Sequence, residues 1–220
     1  MSAYRNPSKF QVELKIVIEK YCQNISNPSV IEIGSSFGTT TAILPTTFKK
    51  TLVDFSANTL DKAQQLFNAL GQEVTLLTLN ILDSNQPKYE YDIVFSAGLL
   101  EHFTLTERRK AITNMFRSTK NGGVMIIAIP NHYSLPYRIG YMYSVLMHKW
   151  IYPREFKIKN FQKETKNLSG IQLVERLNLD KANIYSFLPK TLSIIFRHLD
   201  RWLKFEEYLS VFIYKKTEDY

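Results

Sequence analysis

The chain has a single cysteine, Cys22, in 220 residues, which excludes an internal disulfide and any cysteine-based zinc site. No apolar run reaches the roughly 18 residues that cross a bilayer as a helix. The start, Met1-Ser-Ala-Tyr-Arg-Asn-Pro7, has no apolar stretch of the kind a secretory leader needs. A cytoplasmic protein is therefore expected, and no metal site is anticipated. Glycine and proline are scarce, at eight residues each, and no low-complexity or repeated tract argues for disorder. Acids are also in short supply, since 20 Asp and Glu face 28 Lys and Arg for a formal charge of +8. That balance favours an anionic partner, either nucleic acid or an acidic membrane surface, although a merely solvated basic surface is the alternative.

What is present reads as one globular domain with a sizeable core: 45% hydrophobic, 22% charged and 13% aromatic residues. Short apolar runs alternate with helical patterns through the first half, the signature of a parallel α/β sheet. Residues 8–24 carry Phe10, Leu14, Val17, Ile18 and Tyr21 at helical spacing. Strands are expected at 30–33, 51–54, 74–79, 91–96, 124–129, 171–177 and 210–214. A helix between the second and third strands is expected to be capped by Asn58 or Thr59 and closed by Gly71. Another spans 106–119, ended by Asn121-Gly122-Gly123, and residues 158–169 also read as helical. Two stretches break the alternation, about 131–157 and 180–209. In the second, Leu192, Ile195, Phe196, Leu199, Trp202, Leu203 and Phe205 share one helical face, with Lys190, Arg197, Arg201 and Lys204 available for the other.

The chemistry begins at Ile31-Glu-Ile-Gly-Ser-Ser-Phe-Gly38. A strand ends at Gly34 and the chain must turn sharply into a helix, where glycine permits positive φ and close approach of a ligand. Asp54 ends the next strand, placed to accept both hydroxyls of a ribose lying across the sheet's crevice. Together these features point to a nucleoside cofactor. A dinucleotide fits poorly: Phe37 is bulky for a loop that hugs a diphosphate, and Glu32 is a poor neighbour for phosphate but suits an ammonium group.

This combination resembles the first motif of the class I, Rossmann-like S-adenosylmethionine-dependent methyltransferases, E/D-x-G-x-G-x-G, with Ser36 standing at the middle glycine. That departure is tolerable if Ser36 keeps negative φ. The resemblance runs over most of the chain. Asp54 in Leu-Val-Asp-Phe-Ser matches the ribose-binding acid, and Asn80-Ile-Leu-Asp83 falls at the adenine-edge segment, with Asn80 where an Asp is common. Tyr91-Asp-Ile-Val-Phe-Ser-Ala-Gly-Leu-Leu-Glu-His-Phe103 matches the fourth motif of the small-molecule branch, and Asn121-Gly-Gly-Val-Met-Ile-Ile-Ala-Ile-Pro130 the fifth-strand motif. The resemblance implies a seven-stranded, mostly parallel α/β sheet with helices on both faces. It implies S-adenosylmethionine as cofactor, held by Glu32, Gly34, Ser36, Gly38, Asp54, Phe55, Asn80, Ile81, Asp83 and Ser96.

Two nucleic-acid chemistries fit badly. No Pro-Pro-aromatic signature for base amines ends the fourth strand, and Cys22, on the N-terminal helix, is far from any motif for cytosine C5 attack. Methyl transfer to an oxygen or nitrogen of a small or lipid-like acceptor is expected, with RNA modification and a non-catalytic cofactor-binding subunit as the alternatives. His102, just past the fourth strand, is the leading base candidate, and His132, past the fifth, is the second. Strands five and six both end at the ligand edge, so the two inserts are expected to form a lid over the site. The 190–209 segment either packs onto the domain or rests on an anionic membrane. Nothing in the sequence specifies the oligomeric state.

Overall fold

The computed structural model describes residues 6–83 and 90–217; residues 1–5, which bear on the expectation about a leader, lie outside them. Seven strands form one sheet: β1 (Ser29–Ile33), β2 (Lys49–Asp54), β3 (Thr75–Thr78), β4 (Tyr91–Ala97), β5 (Thr119–Pro130), β6 (Ile171–Leu179) and β7 (Leu209–Lys216). Their order is β3-β2-β1-β4-β5-β7-β6. The β1–β2, β1–β4, β2–β3 and β4–β5 pairs are parallel, and β7 runs antiparallel to both β5 and β6. The order reverses between β1 and β4, which places the ligand crevice of such a sheet at the carboxyl ends of those two strands.

The central strands β1, β4, β5 and β7 read as largely apolar runs because both their faces are covered. Side chains alternate across the pleat. Val30, Ile93, Phe95, Val124 and Ile126 face helix α1 (Lys9–Cys22), which supplies Leu14, Val17 and Ile18. Ile31, Val94, Met125 and Ile127 face the opposite side. Helix α2 (Thr39–Ala42) follows β1, and α3 (Ala57–Ala69) follows β2, burying Leu60, Ala63 and Phe67 against Leu52. Helix α4 (Leu105–Arg117) brings Ala111, Ile112 and Met115 onto the β4 and β5 side chains.

Three local expectations are corrected. The cap of α3 is Ser56, whose Oγ accepts from the Thr59 amide, rather than Asn58 or Thr59. Helix α4 ends at Arg117, and β5 already begins at Thr119 opposite Tyr91. The Asn121-Gly122-Gly123 run is a bulge inside that strand: Gly122 has φ +78, and a Cβ on Gly123 would sit 2.9 Å from the Lys120 carbonyl oxygen. Residues 158–169 contain only the short helix α6 (Gln162–Thr165), preceded in the chain by α5 (Leu135–Leu146). Ile158 and Phe161 are both buried in the core, and the chain between them is irregular.

The two inserts hold most of what remains. The first, 131–157, contains α5; the second contains a 3-10 helix (Lys181–Tyr185) and α7 (Lys190–Leu203). They are tied to each other at the end of β5, where Asn131 Nδ2 donates to Glu206 Oε2 and to the Glu207 carbonyl. Among the described residues no helix is long and apolar enough to cross a membrane.

Candidate active site

The turn after β1 alternates left-handed residues: Gly34 at φ +68, Ser36 at φ +49 and Gly38 at φ +67. Ser36 therefore departs from the negative φ that would have made its serine tolerable. The physical reason is visible in its amide, which this geometry turns inward to donate to Asp54 Oδ2 at 3.0 Å. A side chain in this region costs about 1–2 kcal/mol, and a charge-assisted hydrogen bond offsets a cost of that size. The other two positions exclude a side chain for lack of room: a Cβ on Gly34 would meet Leu99 Cδ2 at 2.8 Å, and one on Gly38 would meet Leu52 Cδ1 at 2.4 Å. Leu99 belongs to the segment after β4, so the two loops at the switch point are packed against each other. The Gly34 and Ser35 amides both donate to the Val53 carbonyl, which fixes the turn to β2 as well.

Asp54 thus ends β2 as a hub, accepting from the Ser36 amide on Oδ2 and from the Ser56 amide on Oδ1. Phe55 beside it is 79% exposed, an aromatic ring presented at the rim. The Leu79 amide donates to the Asp54 carbonyl, bringing the 80–83 segment alongside. That segment is held from beneath by Asn114 of α4, buried, whose Nδ2 donates to the Ile81 and Asp83 carbonyls at 2.7 and 2.8 Å. Asn80 Oδ1 accepts from the Leu82 amide, closing the turn, and Ile81 is buried under it. Glu32 is buried in β1, and its Oε2 takes the Thr41 hydroxyl at 2.6 Å and the Thr41 amide at 3.3 Å. Desolvation pushes its carboxyl up to about 7 against the lowering effect of those bonds.

Two buried hydroxyls, Ser35 Oγ after β1 and Ser96 Oγ in β4, lack hydrogen-bond partners among the described residues. Unpaired buried polar atoms are rare and call for a ligand or water. They end the two strands that flank the switch point, where a polar nucleoside would meet them.

Past β4 the chain forms a 3-10 turn, Leu100–His102. Glu101 is buried, its Oε2 has no hydrogen-bond partner, and burial, more than the nearby Glu155 charge, pushes its carboxyl up to about 8. His102 is half-buried, with Nδ1 3.2 Å from the Arg154 carbonyl oxygen and Nε2 3.9 Å from Glu101 Oε1. The first insert closes over this point: the Phe156 amide donates to the Glu101 carbonyl, and Glu155 joins Glu101 and His102 with ligand atoms within 4.8 Å of one another. Glu155 Oε2 also accepts from Tyr137 Oη at 2.7 Å and lies 2.8 Å from His132 Nε2, out of line for a hydrogen bond. His132 itself is fully buried between the Tyr137 and Tyr141 rings, its Nδ1 3.2 Å from an Arg138 nitrogen. So the structure brings His102 to the end of β4 and seals His132 inside the insert.

A cleft of about 700 Å³ lies in the first insert beside Glu155, lined by Arg138, Tyr141, Trp150, Tyr152, Arg154 and Lys157 among others. A larger one, about 1160 Å³, opens at the opposite, amino edge around Lys49, Lys50 and Gln72, away from the carboxyl ends of the strands where such sheets bind ligands.

Residues 30–123 match the sequence model of a family described as a methyltransferase domain. By that match residues 30–123 are similar to a methyltransferase domain, over somewhat less than half of the chain. Solved structures agree on the fold. An S-adenosylmethionine-dependent methyltransferase from Clostridium acetobutylicum superposes with TM-score 0.66 at 14% identity, covering 97% of this chain and 94% of that one. The N-methyltransferase NodS from Bradyrhizobium japonicum, bound to S-adenosyl-L-homocysteine, gives 0.63 at 15%, covering 97% and 90%. Magnesium protoporphyrin IX methyltransferase from Synechocystis, also with that ligand, gives 0.65 at 14%, covering 94% and 82%. No curated protein matches the sequence.

The site relies on side chains that the sequence reading passed over. Thr41 and Asn114 hold the glycine loop and the 80–83 segment, and Glu155 completes the cluster beyond β4. A threonine in a helix and an asparagine three turns along another carry no local signal; only the packing of α2 and α4 onto the strand ends gives them a role.

Proposed function

We propose that the protein transfers a methyl group from S-adenosylmethionine to an oxygen or nitrogen of a small or lipid-like acceptor in the cytoplasm. On this reading residues 1–220 act as one domain, with the inserts at 131–157 and 180–209 as a lid. The observation that carries the reading is the bond from the left-handed Ser36 amide to Asp54, which locks the loop and the acid at the sheet's switch point into one cradle.

When bound, the cofactor supplies an activated methyl on a sulfonium sulfur. The residues of this chain position it. Asp54 accepts the ribose hydroxyls, Phe55 covers the adenine face, and Asn80, Ile81 and Asp83 line its edge. Gly34, Ser36 and Gly38 let the backbone approach closely, and Ser35 and Ser96 offer their unpaired hydroxyls. Glu32 orders the loop through Thr41 and places negative charge under the amino-acid end. Alignment and dryness then account for most of the rate.

His102 is the base in this reading. With Nδ1–H given to the Arg154 carbonyl, Nε2 keeps its lone pair for a proton from the acceptor. His132, sealed between the Tyr137 and Tyr141 rings, does not meet the acceptor in this reading. The aromatic and cationic cleft beside Glu155 suits an acceptor with an apolar or aromatic body and an anionic group. Parallel calorimetric titrations with S-adenosylmethionine, S-adenosyl-L-homocysteine and NAD test the cofactor assignment. Binding of the two adenosyl ligands, weakened about tenfold or more by Asp54→Ala, is expected; an unchanged affinity in that variant overturns it.

A further inference from the structure

An amphipathic helix of a soluble protein ordinarily buries its apolar face. Helix α7 does not: none of its 14 residues is buried. It touches the domain through Leu192 and Phe196, which pack with Phe205 on Ile184 and Leu188. That contact leaves Ile195, Leu199 and Trp202, spaced i, i+4, i+7, as a stripe in solvent, with Trp202 81% exposed. Helix α5 repeats the pattern. Its inner side chains Tyr137 and Tyr141 are buried, whereas Met142, Val145 and Leu146 are exposed, and Ile151 just beyond is 84% exposed. Both helices are seated on the same short segment, since Ile139 of α5 packs into the cluster that holds Leu192 and Phe196 of α7. Contiguous exposed apolar surface of this kind marks an interaction site.

Charge selects the occupant. Lys190, Arg197 and Arg201 lie on the side of α7 away from the stripe, and Lys204 caps its end. The helix's one acid, Asp200, is already paired with Lys181 at 2.8 Å. A helix with an apolar stripe that includes a tryptophan on one face and long basic side chains on the other suits the boundary between acyl chains and anionic headgroups. A second copy of this chain fits less well, because it would bring another formal +8 against the first.

We propose that the exposed stripes of α5 and α7 dock the protein on an anionic lipid bilayer. The inserts that carry them join the end of β5 and the Glu101–His102 turn, so docking would open the acceptor side of the site toward the membrane. This deepens the proposed function by naming where the acceptor resides, yet its test does not depend on methyl transfer. The full chain is sedimented with vesicles of phosphatidylcholine mixed with phosphatidylglycerol, and with vesicles of phosphatidylcholine alone, at low and high salt. Retention on the mixed vesicles that falls with salt is expected. The double variant I195E/W202E should lower it at least about tenfold while S-adenosyl-L-homocysteine affinity by calorimetry stays the same. R197E/R201E, which leaves every apolar side chain in place, should lower it too. Absent retention, or retention by either variant equal to that of the parent chain, overturns the proposal. So does a wild-type dimer in analytical sedimentation that I195E/W202E dissolves, since the stripe is then a protein interface. Loss of cofactor binding with vesicle retention intact would sink the methyl-transfer reading and leave the docking surface standing.

Discussion

Ile126 and Ile195 have the same side chain and opposite surroundings. Ile126 lies in the middle of β5, fully buried between α1 and the neighbouring strands, whereas Ile195 is 52% exposed on α7. The contrast extends to the regions that hold them. In the central strands β1, β4, β5 and β7, apolar groups are covered on both faces. In the inserts the inward surface is packed around Tyr137, Glu155 and His132, but much of the outward surface is apolar and bare. The difference teaches that the centre of the sheet is self-contained while the inserts keep apolar surface uncovered.

The sharpest way to break the comparison is to truncate both isoleucines. Ile126→Ala should cost about 2–5 kcal/mol through lost burial and a cavity, while Ile195→Ala should stay within about 0.5 kcal/mol. Urea denaturation of each variant measures this, and equal costs would mean that α7 is packed after all.

A smaller effect is expected at the seam between the two regions. Burial raises the Glu101 carboxyl from 4.5 to about 8, so the folded chain holds this proton more tightly than the unfolded chain does. Stability from this group therefore falls as pH rises from 4.5 through about 8, and the full penalty persists above that. Glu101→Gln should accordingly be more stable than the parent by on the order of 3 kcal/mol at about pH 9. The advantage should vanish toward about pH 4.5. Thermal melts across pH check the sign, and a gap that widens at low pH would refute it. Smallest is Tyr137→Phe, which removes the hydroxyl that donates to buried Glu155. A loss of about 1–2 kcal/mol is expected, and a neutral result in denaturant would show that the insert's interior is looser than its bonds suggest.

Strands β1, β4, β5 and β7 were readable because a strand covered on both faces must be largely apolar, which marks it against polar loops. Gly34, Gly38 and Asp54 were readable for a related reason: their roles depend on backbone geometry at a strand end, a property tied to residue type and spacing. Boundaries that rest on tertiary pairing were not. Nothing local says that Thr119 joins Tyr91 in the ladder before a glycine bulge. Ser36 also ran against its local reading, because the bond to Asp54, eighteen residues away, favours a left-handed serine.

By itself, then, the sequence determined the parallel α/β order, the cofactor loop and the acid that faces it, since periodicity and glycine placement are local constraints. Only the tertiary structure decided which histidine stands open and which is sealed. It also decided that Asn114 and Thr41 brace the site and that the apolar face of α7 looks outward. Amphipathicity fixes that a helix has an apolar side; what that side meets depends on the volume left by every other element, and near α5 and α7 the protein leaves it uncovered.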